Sequence, residues 1–349
     1  MEKYLHPHSP WRIFFVSGLI TVASILGVLF GYGIEAMVLT LVLIAVELAF
    51  SFDNAVVNAK VLSKMSNFWQ LMFLTIGAAV AIFGMRLVFP IILVAITAGL
   101  GWSEVLDLAL NHPVEYSHAL HESHVQLASF AGAFLMMLAL HFFVDDSRDV
   151  YWLEGVERRI QKFSDWLPGI ATGVLIVVAA FLPMNHARNE TLVAGFIGVA
   201  SYVLIHAFTK YFGKLGSSNR KNSAKLTGMA GFLSFLYLQV LDTTFSFDGV
   251  LGAFAITGDV ILIAIGLGVG ALWVRSLTVF MVRRGTLDTM LYIEHGAYYA
   301  IGILAVLMLV SVLVSVPDVI AGLAGVGVIT ASIIASRQAL AAKHGPRQG

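Results

Sequence analysis

Hydrophobic positions in this chain come in unbroken runs of about 20 residues, the length an α-helix needs to cross a bilayer. The runs lie at 12–31, 35–59, 69–99, 125–144, 167–183, 191–212, 229–257, 260–282, 296–316 and 319–336. The pattern predicts an all-α, polytopic membrane helix bundle of ten spans. The first run follows Lys3 and Arg12 and has no small-residue cleavage site, so it predicts a retained signal anchor. Composition agrees: 58% of residues are hydrophobic, 12% are charged, and the mean hydropathy is +0.86. The lipid bilayer is the predicted surroundings, and with a formal net charge of zero no nucleic-acid partner is expected.

The polar segments between the runs set an orientation. With the N-terminus in the cytoplasm, all but three of the 21 Lys and Arg fall in cytoplasmic segments, among them Lys60, Lys64, Arg158, Arg159, Lys162, Lys210 to Lys225, Arg283 and Arg284. Arg188 lies outside, and Arg86 and Arg275 lie within spans. This bias predicts both termini in the cytoplasm.

Inside the apolar runs, one acidic pattern occurs twice. Phe50-Ser51-Phe52-Asp53 returns 195 residues later as Phe245-Ser246-Phe247-Asp248, and each Asp is preceded six residues earlier by another acid, Glu47 or Asp242. An ionised carboxylate at such a position costs roughly 2.5–3.5 kcal/mol on insertion scales, so intramembrane acids mark ion or proton pathways. In the ten-span layout the first copy runs outside to inside and the second inside to outside. Two inverted five-span halves, 1–165 and 166–349, are therefore expected, with substrate at their midplane interface.

Helical spacing sorts the donors. Glu47, Ser51, Asn54 and Asn58 fall at i, i+4, i+7 and i+11 and make one polar stripe. Asp53 lies about 120° off that stripe. Either the helix unwinds around Phe50 to Asp53, freeing carbonyls as ligands, or the two acids face different partners. In the second copy Asp242, Ser246 and Gly249 share a face, Asp248 is rotated away, Thr243 and Thr244 add hydroxyls, and Gly249 stands where the first copy has Asn54. Arg86 and Arg275 each lie in the span after a motif. Four acids against two arginines leave a deficit of two charges, which one divalent cation or two protons would cancel. The expected ligands are Glu47, Asp53, Asn54, Asp242 and Asp248, supported by Ser51, Asn58, Thr243 and Ser246. Arg86 and Arg275 would hold the acids in the absence of the cation. The phenylalanines are expected to pack.

Other features are weaker. The chain contains no cysteine, so any metal it handles meets oxygen or imidazole. His112, Glu115, His118, His121, Glu122 and His124 occupy one external loop, expected to be solvated and pH-sensitive ahead of a metal-capture patch. Asp145, Asp146 and Asp149 lead into Tyr151 to Phe163, read as an interfacial amphipathic helix whose polar residues form a solvated cap. Gly213 to Lys225 reads as a flexible linker. His141, His206 and His295, near span ends, are expected to make local hydrogen bonds.

Glu47 with Phe50 to Asn54, and Asp242 with Phe245 to Asp248, resemble the paired acidic motifs of the TerC family of integral membrane proteins, named for tellurium resistance and grouped with the LysE-type exporters. Phe142-Phe143-Val144-Asp145 to Trp152 resembles a bacterial branch of that superfamily. The chain departs after Asp248, where Gly249-Val250-Leu251-Gly252 replaces the family's usual small polar residue and proline-containing turn. The resemblance implies a multi-pass protein of the bacterial inner membrane that exports a divalent cation, chiefly manganese, as its substrate, with no cofactor. Protons are a candidate coupling ion, and the oligomeric state is left open, a homo-oligomer included. No enzymatic activity is expected: an intramembrane aspartyl protease would need Gly-x-Gly-Asp, and the nearest sequence is Thr257-Gly258-Asp259. A non-transporting component of a metal or tellurite stress-resistance complex is the alternative.

Overall fold

The computed structural model describes residues 10–146, 148–163, 166–217, 225–257, 259–285 and 289–343. The described chain is helical apart from a single bridge, in which Leu226 N–H donates to the Lys64 carbonyl at 2.8 Å and Ser66 N–H to the Leu226 carbonyl at 3.0 Å. In chain order the helices are α1 (Pro10–Tyr32), α2 (Ile34–Phe50), α3 (Phe52–Ser63), α4 (Asn67–Leu74), α5 (Ile76–Ala79), a π-helical segment (Val80–Val88), α6 (Phe89–Ala98), α7 (Trp102–Asn111) and α8 (Pro113–Glu122). They continue with α9 (His124–Val144), α10 (Glu154–Gln161), α11 (Leu167–Phe181), α12 (Arg188–Ser217), α13 (Gly228–Ile256), α14 (Val260–Arg284), α15 (Ile293–Ser311) and α16 (Asp318–Lys343).

Among the described residues seven helices are long and apolar enough to span a membrane, or eight if the bent pair α2 and α3 is one span. Ten were expected. The difference has physical causes: α11 has only 15 residues, and the run at 69–99 is divided into α4, α5, the π-helical segment and α6. The expected linker at Gly213 to Lys225 also begins inside α12, and its residues 218–224 lie outside the described ones.

Helix ends follow local chemistry. Asp259 caps α14, its carboxylate accepting the backbone N–H of Ile261 at 2.8 Å and of Leu262 at 3.1 Å. Gly99, at φ +67°, ends α6 in the left-handed conformation that only glycine adopts cheaply. Within helices, hydroxyls of Thr40, Thr243, Thr244 and Thr278 donate to carbonyls one turn back, which satisfies them without water.

The chain divides into two compact units, each taking segments from both sides of residue 165. The first comprises residues 1–127 and 205–284. In it α14 packs along α1, α2, α3 and the π-helical segment. Gly270 makes the α2 contact possible, since a Cβ there would stand 2.6 Å from Cβ and Cγ of Glu47. Two apolar clusters form its core. One gathers Leu43, Val94, Tyr116, Leu120, Val250, Ala253, Ile263 and Leu267, and the other Leu62, Met65, Phe73, Phe235, Leu238 and Val279.

The second unit comprises residues 128–204 and 285–349. Here α15 and α16 pack along each other. The rings of Phe142 on α9 and Tyr298 on α15 stack at 3.8 Å and 5°. Glu157 on α10 is fully buried, which corrects the solvated cap expected from sequence. Its Oε1 accepts backbone N–H groups of Trp152 and Leu153 and the Tyr299 hydroxyl, while Oε2 lies 3.5 Å from Arg148 and 3.4 Å from His295. Such a carboxylate stays ionised in an apolar setting only because its lone pairs meet donors on every side. His295 Nε2 also bonds the Val150 carbonyl at 2.8 Å, the local role expected of it.

Candidate functional site

The repeated acidic motif meets two different local fates. The first copy breaks its helix at Ser51, whose φ of −100° and ψ of 17° separate α2 from α3, with a bend of 52°. The second copy lies within α13, which runs on unbroken from Gly228 to Ile256. Asp53 therefore sits in the first turn of α3, where a carboxylate is favoured by the helix dipole, and accepts the backbone N–H of Asn54 at 2.9 Å.

The break leaves the predicted stripe intact. Glu47, Asn54 and Asn58 line one cleft together with Ala81, Asp242, Ala271, Val274 and Arg275, all within the first unit. Asp53 is buried but is not among the lining residues, as its angular offset from the stripe implies. Ser51 joins indirectly, its hydroxyl donating to Glu47 Oε1 at 3.1 Å. Thr243 spends its hydroxyl on the Gln239 carbonyl. The side chains of Arg86, Ser246 and Asp248, although predicted members, lie outside the described ones.

Asp242 is the hub. Its Oδ1 accepts the amide N–H of Asn54 at 3.2 Å and of Asn58 at 2.7 Å, and its Oδ2 accepts a short bond from Arg275 Nη2. Arg275 Nη1 donates to the Phe73 carbonyl at 2.7 Å, and the guanidinium lies 4.2 Å from the Phe73 ring centroid. With both amide nitrogens turned to Asp242, the Oδ1 atoms of Asn54 and Asn58 are buried without a hydrogen-bond partner. Gly249 completes the wall, since a Cβ there would lie 3.2 Å from Glu47 Oε2.

Two carboxylates and two unsatisfied amide oxygens, with no sulfur and no imidazole, form an oxygen donor set suited to a hard cation. Among the described residues, no three acidic or histidine side chains are grouped as a metal-holding cluster. The donor set therefore consists of Glu47, Asp242 and amides, with Arg275 supplying positive charge in the present conformation.

The cleft lies between the two apolar clusters of this unit. Leu43, Val250 and Leu267 precede Glu47, follow Asp242 and precede Arg275 on their helices, whereas Leu62, Leu238 and Val279 flank the same residues on the opposite chain side. One cluster thus closes each end.

Two members escaped the sequence reading. Gln239 is buried one turn before Asp242 and Thr243, with neither its amide nitrogen nor its oxygen hydrogen-bonded. The Phe73 carbonyl belongs to the backbone and carries no residue signature. For Gln239 the signal was its i, i+3 spacing to Asp242 in an apolar run. The external histidines stay separate: His118 pairs with Glu122 at 3.4 Å and His121 bonds the Ser117 carbonyl, both on the exposed face of α8. Burial raises the Tyr116 hydroxyl pKa on the opposite face.

No curated protein and no solved structure matches the chain. A family described as a protein of unknown function (DUF475) matches residues 52–342, a stretch that takes in Asp53, Asn54, Asn58, Asp242 and Arg275 and begins after Glu47. By that match over most of its length, this helical membrane protein belongs to the DUF475 family.

Proposed function

We propose that this chain is a transporter that exports a divalent cation, manganese foremost, across the bacterial inner membrane by alternating access between inverted five-span halves. The observation that carries the proposal is the pair of buried, unpartnered amide oxygens of Asn54 and Asn58 beside Glu47 and Asp242. A buried acceptor without a donor is costly, and a cation removes the cost. The apolar clusters at both ends of the cleft suit an occluded resting state. Glu47 and Asp242 together neutralise one divalent ion, and Asp248 from the second motif adds a third carboxylate. Protons leaving these acids serve as the coupling ion. The likeness of both acidic motifs to those of TerC proteins favours manganese over magnesium and calcium, which the same oxygen donors would also accept.

The test is flux into proteoliposomes for manganese, magnesium, calcium and protons, comparing wild type with Asp242→Asn and Asn58→Leu. Manganese movement that falls to the protein-free background in both variants is the expected result. Variants as fast as wild type would refute the cleft as the transport site.

A further inference from the structure

Arg275 does more in this unit than neutralise Asp242. Its second donor group reaches the Phe73 carbonyl, which is available because α4 ends at Leu74 and Thr75, at φ −102° and ψ −81°, interrupts the helix. Helix ends leave their last carbonyls without intrahelical partners, and here the guanidinium takes one. The Phe73 ring, beneath that guanidinium, is a fully buried member of the apolar cluster closing one end of the cleft. One side chain thus bonds the site and the plug at once.

A second seat for the guanidinium lies beside the first. Were Gly77 an alanine, its Cβ would stand 2.9 Å from both Arg275 Nη1 and Gln239 Nε2, so the absence of a side chain there gives both groups their room. Gln239 is buried, and both its amide atoms lack hydrogen-bond partners. That amide oxygen is the acceptor a guanidinium needs if Asp242 is taken from it.

Resting on the cation-transport reading above, we propose that Arg275 is a two-position latch: it holds Asp242 while the cleft is without cation, passes to the Gln239 amide oxygen when a divalent cation claims Asp242, and by that move loosens the plug around Phe73. Charge drives the exchange. Arg275 and a divalent ion together would bring three positive charges against the two carboxylates of Glu47 and Asp242, so the tethered cation yields.

The absence of cysteine allows a background-free reporter. Leu238→Cys places a thiol in the plug, and its rate of modification by a small charged thiol reagent is measured on purified protein with and without manganese, alongside manganese binding by equilibrium dialysis. Saturating manganese should speed modification about tenfold, and Gln239→Leu should abolish that increase while still binding manganese. Arg275→Gln should bind manganese about tenfold more tightly and react fast with or without it, because the competitor is gone. Gly77→Ala, which crowds the guanidinium without altering any charge, should shift both readouts in the same direction and by less. Tight binding that Arg275→Gln and Gly77→Ala leave unchanged, or a manganese response that survives Gln239→Leu, overturns the latch alone. Failure of manganese, magnesium and calcium to bind wild type or Arg275→Gln overturns the cation reading and the latch with it.

Discussion

Replacing Asp242 by Asn keeps the shape of the cleft and removes its central charge. Asp242 and Arg275 are 6% and 3% exposed, so solvent cannot take over the guanidinium when its partner is neutralised. Breaking a buried ion pair from one side costs about 3–5 kcal/mol, mostly the penalty for an uncompensated buried charge. The amide donors of Asn54 and Asn58 would still find a carboxamide oxygen, at the strength of a neutral bond, so their share of the loss is small. At roughly 2–4 °C per kcal/mol for a unit of this size, melting should fall on the order of 6–20 °C. Intrinsic tryptophan fluorescence in detergent follows the transition. The double variant Asp242→Asn with Arg275→Gln should recover at least about 2 kcal/mol relative to the sum of the single losses, because no lone charge remains. A double variant that loses the full sum would falsify the account of Asp242 as the counter-ion of Arg275.

Further outcomes are expected elsewhere. Gly270→Ala should force α14 away from Glu47 and lower stability by about 1–3 kcal/mol, seen as an earlier melting transition; an unchanged melt would show that α2 and α14 are not in close contact. In the second unit, Glu157→Gln leaves Arg148 buried beside a neutral amide and should cost about 3–5 kcal/mol while manganese affinity of the folded protein stays at the wild-type value. Phe142→Ala removes both the Tyr298 stack and the aromatic face 4.3 Å from the Arg148 guanidinium; a loss of about 3–5 kcal/mol should appear in thermal unfolding. Cysteines placed at His118 and Ser218 should react with impermeant reagent from opposite sides of the membrane, and labelling from one side would remove the inverted arrangement.

Much of the cleft was legible in the chain because its first wall is a helical face. Spacing alone put Glu47, Ser51, Asn54 and Asn58 together and set Asp53 apart, and the structure keeps that division across the break at Ser51. The pairing of an intramembrane arginine with a motif acid also followed from the cost of leaving either alone, and it holds for Arg275 with Asp242. What sequence could not supply depends on tertiary approach. Gln239 acquires meaning only beside Gly77 and Arg275, and the Phe73 carbonyl only where α4 stops without a proline to announce it. Glu157 sits among Glu154, Arg158, Arg159 and Lys162, a composition that reads as solvated, yet its partners arrive from residues 148 and 295. The division of one apolar run into α4, α5, a π-helical segment and α6 likewise leaves hydropathy unchanged.

The unequal treatment of the repeated motif has a mechanical meaning. The same four residues end one helix and pass unmarked through another of 29 residues, roughly 43 Å long at 1.5 Å per residue. Duplication has thus yielded a joint and a strut from one piece of text. The joint carries Glu47 on one arm and Asn54 and Asn58 on the other, so flexing at Ser51 alters the spacing between donors, while Asp242 stays fixed on its beam as the reference against which that spacing is gauged.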